Sequence, residues 1–190
     1  LGMENAGVKV VGFNEKEKIF IKTHLENFEE CNLIGDYNNS SITDVKNEEI
    51  EKFKGKEVDL VFAGFPCQGF SNAGKKKVND PRNTLFGEFV RVAKIIRPKF
   101  IIGENVEGLL KRKTDTGDNY IDIIRGEFEN LGYTIYLKVF YTERYNIPQL
   151  RRRLIIVGVK NDKKKNYEFP SPLNNGIENM PDLRNIIRFD

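Results

Sequence analysis

VDLVFAGFPCQGFS, the stretch from Val58 to Ser71, decides the fold class. Its first six residues are apolar except for Asp59, which predicts a strand of a parallel sheet that is covered on both faces. Cys67 then follows on a short turn between Gly64 and Gly69, whereas an ordinary buried cysteine would more usually lie inside the strand. This position makes Cys67 a candidate functional thiol.

Strands and helices alternate on both sides of this stretch. Apolar runs predict strands, and apolar residues at helical spacing predict helices; the strands are 8–13, 58–63, 99–103, 133–141 and 152–159, and the helices are 15–27, 84–96 and 119–131. Ile19, Phe20 and His24 are expected on the inner side of the first helix. A short link with Pro148 joins the last two strands and suggests an antiparallel pair. The sequence therefore predicts an α/β fold, with a mostly parallel sheet and an antiparallel final strand.

Length and composition exclude several classes of protein. The chain has 190 residues, 39% hydrophobic and 31% charged, so one globular domain is expected rather than a disordered chain. Its apolar runs are far shorter than the roughly 20 residues of a membrane span. The N-terminus shows no signal peptide, which favours an intracellular location, cytoplasmic in a bacterium and nuclear in a eukaryote. Two cysteines and one histidine are too few for a closed zinc site, and no metal is expected.

Charge and composition also change along the chain. The formal net charge of +3 does not by itself identify a nucleic-acid-binding protein, and each basic cluster taken alone is most simply a solvated loop. After Lys160 the chain becomes polar and contains Pro170, Pro172 and Pro181. We therefore expect a catalytic domain over residues 1–160 and a linker over residues 161–190.

Candidate site residues follow the ends of the predicted strands, because ligands of open α/β sheets bind beyond the carboxyl ends of the strands. Glu15 follows the first strand, where a carboxylate can accept hydrogen bonds from the two hydroxyls of a cofactor ribose; an acid there also suits a helix start. Cys67 and Glu104 follow two strands joined by a helical crossover, so a thiol and a carboxyl should face one cleft. The two-residue period of a strand places Arg151 and Arg153 on the same face.

Two chemistries could use this set. A cysteine hydrolase needs a histidine base beside the nucleophile, and the single histidine, His24, is expected on the inner face of a helix. A thiolate that adds to an electrophilic ring, while a nearby carboxylic acid protonates that ring, suits the residues better.

Three segments together resemble the cytosine-C5 DNA methyltransferases: GFPCQGFS at 64–71, Glu104-Asn105-Val106, and Gln149-x-Arg151-x-Arg153. The resemblance covers the chain up to about Val159. It implies a Rossmann-like sheet that uses S-adenosylmethionine as cofactor and double-stranded DNA as substrate. Cys67 would attack C6 of a flipped-out cytosine, so that C5 takes the methyl group; flipping is needed because these atoms cannot be approached inside a stacked duplex.

The same resemblance implies roles for the remaining candidates. Glu104 would hold N3 and the exocyclic amine, and Arg151 and Arg153 would contact the base carbonyl and steady the acid and the thiolate. The cofactor contacts would be Glu15 on the ribose, Ser41 and Ile42 on the adenine, and Pro66 and Leu85 at the cofactor wall; Ser41 stands where the family usually has an aspartate. The DNA contacts would be Gln68, Ser71, Lys75, Lys76 and Lys77.

Measured against the family pattern, the chain resembles a catalytic core truncated at both ends. Leu1 to Gly7 resembles the end of the helix that follows the family's first strand and glycine-rich loop, and no target-recognition region follows. We therefore expect the chain alone to be inactive, and a segment or partner chain to supply the missing motifs.

Alternatives from other classes stay open at this point. A regulatory or catalytically inactive nucleic-acid-binding relative would keep the same residues by descent, and an RNA cytosine-C5 methyltransferase would share the chemistry. A nucleotide-dependent oxidoreductase is disfavoured because no Gly-x-Gly-x-x-Gly run follows any predicted strand. Within the leading interpretation, the biological role is either a restriction-modification partner or an epigenetic mark.

Overall fold

The computed structural model describes residues 2–55, 58–66, 85–114, 116–162 and 166–173. In chain order the elements are α1 Gly2–Asn5, β1 Gly12–Phe13, α2 Lys18–Asn27, β2 Asn32–Leu33, α3 Asn47–Glu51, β3 Leu60–Ala63, α4 Leu85–Ile96, β4 Phe100–Asn105, α5 Tyr120–Asn130, β5 Tyr133–Tyr141 and β6 Arg152–Lys160. Two short 3-10 helices, Glu107–Lys111 and Thr142–Tyr145, follow β4 and β5. No helix within the described ranges is long and apolar enough to span a membrane.

By its internal contacts the chain divides into two compact units. Unit 1 comprises Leu1–Val58 and Arg91–Arg97, and unit 2 comprises Asp59–Val90 and Pro98–Asp190. The predicted boundary between a catalytic domain and a linker at residue 160 stays a prediction.

Unit 2 contains a four-stranded sheet with the order β3-β4-β6-β5. β3 and β4 are parallel, with Leu60 opposite Phe100 and Ala63 opposite Gly103. β6 runs antiparallel to both of its neighbours, β4 and β5. The predicted α/β class and the antiparallel pair of the last two strands are therefore confirmed, in a sheet that mixes both kinds of pairing.

An aromatic cluster forms the core of unit 2. Five aromatic rings contact one another in this cluster, and all five side chains are buried: Phe65, Phe86, Phe89, Phe128 and Tyr133. Gly103 on β4 makes room for this cluster, because a Cβ there would lie 3.2 Å from the Phe65 ring. The end of β3 is thereby anchored in the core through Phe65.

The described end of the chain, residues 166–173, packs along β5. Phe169 lies edge-on to Phe140, with ring centroids 5.7 Å apart, and Tyr167 lies 5.0 Å from Phe169. Burial raises the pKa of the Tyr167 hydroxyl. These residues belong to the predicted linker, and this part of it contacts the sheet.

The strands of unit 1 are shorter than predicted. β1 and β2 form a parallel ladder of two residue pairs, Gly12 with Asn32 and Phe13 with Leu33. Residues 8–10 form no ladder with the described strands, and Val11 contributes its carbonyl, which accepts a hydrogen bond from the Asn32 amide, although the apolar pattern predicts a strand over 8–13. An apolar run is assigned as a strand only where a neighbouring backbone pairs with it, and periodicity cannot show that neighbour.

The buried side of α2 also differs from the prediction. Ile19 and Phe20 were expected inside, and this is wrong, because they are 66% and 59% exposed while Ile21 is fully buried. His24, three residues after Ile21, stacks on Phe13 with ring centroids 3.8 Å apart. The helix begins at Lys18 and turns Ile21 and His24 inward, which is the i, i+3 spacing of one helical face.

Candidate active site

Three strands of unit 2 bring their ends to one edge of the sheet, which we call the catalytic edge. β3 and β4 are parallel, so Gly64 and Asn105 emerge together there. β6 is antiparallel to β4, and its first residues, Arg152 and Arg153, therefore start at the same edge. The predicted parallel pairing of these two strands is observed. That Cys67 emerges beside Glu104 stays a prediction, because Cys67 lies outside the described residues.

Glu104 and Arg153 form an ion pair at this edge. Arg153 Nε lies 2.6 Å from Glu104 Oε1, and the side chains are 24% and 31% exposed. Glu104 is opposite Ile155 in the ladder, so Arg153, two residues before Ile155, projects from the same face. The guanidinium is itself oriented by a hydrogen bond from its Nη1 to the Arg152 carbonyl, at 2.7 Å. The second carboxylate oxygen lies 3.7 Å from the point where a Cβ on Gly64 would lie, so the acid faces the chain that leaves β3.

Arg151 and Arg152 are placed differently from Arg153. Arg151 precedes β6 and is exposed, and its backbone amide donates a hydrogen bond to Thr142 Oγ1 at 3.0 Å. Arg152 projects from the other face of β6, where its Nη1 lies 3.5 Å from Glu107 Oε2. Of the two predicted site arginines, Arg153 is the one that contacts the Glu104 carboxylate.

Asn105 is a site residue that our sequence analysis left without a role. Its side chain is buried, and Nδ2 donates a hydrogen bond to the Phe65 carbonyl at 2.9 Å. Its Oδ1 accepts a hydrogen bond from the Val106 amide at 2.8 Å. The signal was a single amide at the end of an apolar strand, which a buried position tolerates only when it is hydrogen-bonded. Asn105 fixes the backbone two residues before Cys67.

Several predicted site residues lie outside the described residues: Cys67, Gln68, Ser71, Lys75, Lys76 and Lys77. Two cofactor candidates of unit 2 are described. Pro66 is exposed beyond the end of β3, and Leu85 is the half-buried first residue of α4.

Unit 1 brings Glu15 close to the segment that contains Ser41 and Ile42. The Glu15 carbonyl accepts a hydrogen bond from the buried Ser40 hydroxyl. Asn14 Nδ2 donates to the carbonyls of Ile34 and Ser40, at 2.7 and 2.9 Å. These two side chains, Asn14 and Ser40, were also missed by sequence reasoning. Their bonds tie the turn after β1 to the segment that starts at Ser40.

The arrangement of these residues fits the predicted cofactor contacts. Glu15 Oε1 accepts hydrogen bonds from the amides of Lys16 and Glu17, at 2.7 and 2.9 Å, which holds the carboxylate in one orientation. Half-buried Ile42 offers an apolar side chain, and its carbonyl is held by Arg91 Nη2 at 2.9 Å. The Ser41 hydroxyl lies 2.8 Å from Thr43 Oγ1, within the same turn. A carboxylate can accept hydrogen bonds from a ribose diol and an apolar side chain can pack on an adenine ring, and the contacts of Glu15, Ser41 and Ile42 with a cofactor stay predictions.

The other cysteine and the histidine of the described residues, Cys31 and His24, pack in the protein interior and are not part of the candidate site. Cys31 is 5% exposed, and burial raises the pKa of its thiol, which disfavours the thiolate. Burial likewise lowers the pKa of His24, which stacks between Phe13 and Phe28. Within the described ranges, no group of three or more His, Cys, Asp and Glu residues could hold a metal ion.

Comparison with known proteins decides the family. The family model for C-5 cytosine-specific DNA methylases matches residues 1–188. The chain belongs to this family. It is 42% identical over 182 residues to the type II methyltransferase M.Eco47II of Escherichia coli, and 43% identical over 176 residues to the type II methyltransferase M.PspPI of Psychrobacter sp. (strain TA137). These alignments cover 92% and 90% of the chain and 40% of each relative, so the chain spans less than half the length of either.

Solved structures of this methyltransferase fold agree with the architecture. A Spodoptera frugiperda DNMT2 mutant superposes with a TM-score of 0.74 at 18% identity, over 98% of this chain and 55% of that one. The S. pombe Dnmt2 methyltransferase gives a TM-score of 0.63 at 20% identity, over 86% of this chain and 47% of that one. The predicted Rossmann-like methyltransferase fold and the predicted family are confirmed.

Proposed function

We propose that this protein transfers a methyl group from S-adenosylmethionine to C5 of cytosine in double-stranded DNA, with Cys67 as nucleophile and Glu104 as acid. The observation that carries the proposal is the Glu104–Arg153 pair at the catalytic edge, with the acid facing the chain that leads from Gly64 to Cys67. Membership of the family, and relatives named as type II methyltransferases, support the same reaction.

The proposed chemistry starts with a bond from the Cys67 sulfur to C6 of a flipped cytosine. The electron pair of the C5–C6 double bond moves toward N3, where Glu104 supplies a proton, and the resulting enamine is nucleophilic at C5. After C5 takes the methyl group, N3 returns its proton to the Glu104 carboxylate. Solvent water then takes the C5 proton, and the pair of the C5–H bond restores the C5–C6 double bond as the sulfur leaves as a thiolate. Cys31 does not compete for this role, because it is buried with a raised pKa.

Arg153 has two tasks in this scheme. It orients the Glu104 carboxyl through the 2.6 Å contact, and, as the resemblance implies, it would also steady the Cys67 thiolate. We propose that Arg151 contacts the base carbonyl, as the resemblance implies. Asn105 does not touch the reacting atoms in this scheme; it positions the backbone before Cys67 through the Phe65 carbonyl.

S-adenosylmethionine supplies an electrophilic methyl group when bound. On this chain, Glu15 would hold the ribose hydroxyls through the carboxylate oxygen left over from the Lys16 and Glu17 amides, and Ile42 would pack on the adenine. Contacts of Pro66, Leu85 and Ser41 with the cofactor stay predictions from the family. So do the DNA contacts of Gln68, Ser71 and the lysines 75–77, a role in restriction-modification, a cytoplasmic location, and the inactivity of the 190 residues alone.

A covalent trap tests the proposal without knowledge of the target sequence. A random-sequence duplex pool carrying 5-fluorocytosine in place of cytosine is incubated with S-adenosylmethionine and either the 190-residue chain or the full-length product of its gene. Fluorine at C5 prevents the final elimination, so the protein should stay attached to the DNA. Cys67→Ala should abolish the adduct, while Cys31→Ala, which removes the only other cysteine, should retain it.

The outcomes separate the candidate functions. Sequencing of the trapped DNA identifies the target, and an adduct from the full-length product but not from the 190 residues confirms that the chain alone is inactive. An adduct that survives Cys67→Ala overturns the assignment of the nucleophile. An adduct with a matched 5-fluorocytidine RNA pool alone supports the RNA methyltransferase, and binding without any adduct supports the inactive relative.

A further inference from the structure

Two arginines make cation–π contacts with one tyrosine at the catalytic edge. The guanidinium carbons of Arg144 and Arg152 lie 4.9 and 5.0 Å from the centre of the Tyr141 ring. Tyr141 is the last residue of β5 and is opposite Arg152 in the ladder, so the two side chains share a face of the sheet. We call these three residues the arginine–tyrosine cluster.

The cluster lies at the same edge of the sheet as the proposed active site. β5 is antiparallel to β6 and β6 is antiparallel to β4, so the end of β5 lies at the same edge as Glu104. Arg152 directly precedes Arg153, the partner of Glu104, and projects from the opposite face of β6, so the cluster shares the edge of the active site but lies on the other face of the sheet. A duplex that presents a cytosine to this edge must also bring its phosphate backbone there.

The segment between β5 and β6, together with the start of β6, is strongly positive. Residues 142–153 contain four arginines and one acid, Glu143. Among the residues that the structure describes, Glu107 faces the cluster from another element, 3.5 Å from Arg152, in a pair whose side chains are 63% and 41% exposed. An ion pair this exposed contributes little free energy, so a phosphate could displace it.

The cation–π contacts leave the arginines equipped for phosphate binding. A cation–π contact does not use the N–H donors as hydrogen-bond donors, so the planar fork of five donors can still bind an anion. A planar fork of donors matches a phosphate with two parallel hydrogen bonds. The ring also holds the side chains in place, so less rotamer entropy is lost on binding.

We propose that the arginine–tyrosine cluster binds phosphates of the DNA backbone beside the active site. The proposal rests on the proposed function, because it takes DNA as the substrate, and it adds a contact surface distinct from Gln68, Ser71 and the lysines at 75–77. The cluster takes no part in the chemical step.

Salt dependence of DNA affinity provides the test. Binding of the full-length product to a fluorescent duplex is measured by anisotropy between about 50 and 200 mM salt, where each phosphate contact contributes roughly 0.9 to the slope of log affinity against log salt. Arg144→Gln and Arg152→Gln should each lower the slope by about that amount. Lys160→Gln, at the opposite end of β6, should leave it unchanged, and Arg152→Lys should keep the slope because the charge remains.

Variants of Tyr141 test the cation–π contacts separately from charge. Tyr141→Leu removes the ring and should weaken binding several-fold with an unchanged slope, whereas Tyr141→Phe should bind like the parent. Equal slopes for the arginine variants and the parent would overturn the proposal, as would a loss of slope in Lys160→Gln. Equal binding of a polyglutamate peptide would point to an acidic protein partner instead and would also overturn it.

Failure of the proposed function would look different. If the arginine variants lower the slope but no 5-fluorocytosine adduct forms, the phosphate-binding proposal is supported and the proposed methyl transfer is refuted. If the adduct forms and the slopes do not change, only the arginine–tyrosine cluster is refuted.

Discussion

The catalytic edge of unit 2 and the Glu15 turn of unit 1 hold their proposed functional acids in different ways. Glu104 lies on β4, which is paired along four residues of β3 and six residues of β6. Glu15 lies on a turn next to a ladder of two residue pairs, and the side chains of Asn14 and Ser40 tie that turn in place. A carboxylate on a paired strand inherits its position from backbone hydrogen bonds, whereas one on a turn depends on a few polar side chains.

The largest expected effect is on the rate of methyl transfer when Glu104, the acid on β4, is replaced. Glu104→Gln keeps the shape of the side chain but cannot deliver a proton to N3, so methyl transfer should slow by about a hundredfold or more. DNA affinity should stay close to that of the parent, because the strand still positions the side chain. The unfolding free energy should fall by about 1 kcal/mol, because Arg153 loses its charged partner. Single-turnover transfer of labelled methyl groups measures the rate, with exposed Glu129→Gln as the matched control. Turnover within a few-fold of the parent would make Glu104 structural.

A smaller loss is expected at the buried amide beside that acid. Asn105→Asp keeps the oxygen that accepts from Val106 but replaces the donor to the Phe65 carbonyl, at a cost of about 1–3 kcal/mol in unfolding free energy. Formation of the 5-fluorocytosine adduct should slow while DNA affinity holds, because the backbone before Cys67 loses its anchor. Exposed Asn130→Asp is the control. An unchanged adduct rate in a less stable Asn105→Asp would mean that the amide serves the fold alone.

The Glu15 turn should respond to a change outside the acid itself. Ser40→Ala removes the hydroxyl that donates to the Glu15 carbonyl, so this turn should loosen and S-adenosylmethionine affinity should fall by about tenfold, the equivalent of one ordinary hydrogen bond. Calorimetric titration measures the affinity, and Ser171→Ala, an exposed position, is the control. Parent-like cofactor affinity in Ser40→Ala would show that the turn holds without its side-chain tie.

The smallest effect concerns pH and unit 1. Burial lowers the pKa of His24 below its ordinary value of about 6.5, so the unfolded chain binds a proton more readily than the folded one. The contribution of neutral His24 to stability is fully present above about pH 6.5 and is lost as the pH falls through the lower, folded-state pKa. His24→Phe should therefore flatten the decline of the unfolding midpoint between about pH 7 and pH 5. An unchanged decline would assign it to carboxylates, since the chain has no other histidine.

Sequence patterns predicted unit 2 better than unit 1. The bounds of α5, β5 and β6 agree with the predicted 119–131, 133–141 and 152–159 to within one residue at every end. These segments have long apolar periodicities, and Gly132 caps the end of α5. In unit 1 the predicted strand 8–13 is reduced to β1, residues 12–13. The prediction that Ile19 and Phe20 lie on the buried side of α2 was wrong.

The candidate site was predictable where a residue's place on a strand determines its neighbours. Glu104 and Arg153 follow from strand ends and two-residue periodicity. The ties made by Asn105 and Ser40 join residues 40 and 25 positions apart, and no local pattern indicates which carbonyl a buried amide or hydroxyl will meet. Pairing along the backbone can be inferred from periodicity, while single side-chain bonds across loops depend on the completed tertiary structure.

The central place of β6 also has a consequence for the order in which the protein folds. β5 and β6 are joined by a short connection and can pair as a hairpin early, because closing a short loop costs little entropy. β4 joins β6 from much farther away in the chain, so Glu104 meets Arg153 only after that long loop has closed. We therefore expect partly folded chains in which β5 and β6 are paired but Glu104 is not yet in contact with Arg153. The proposed chemistry would begin only when β4 has joined the sheet.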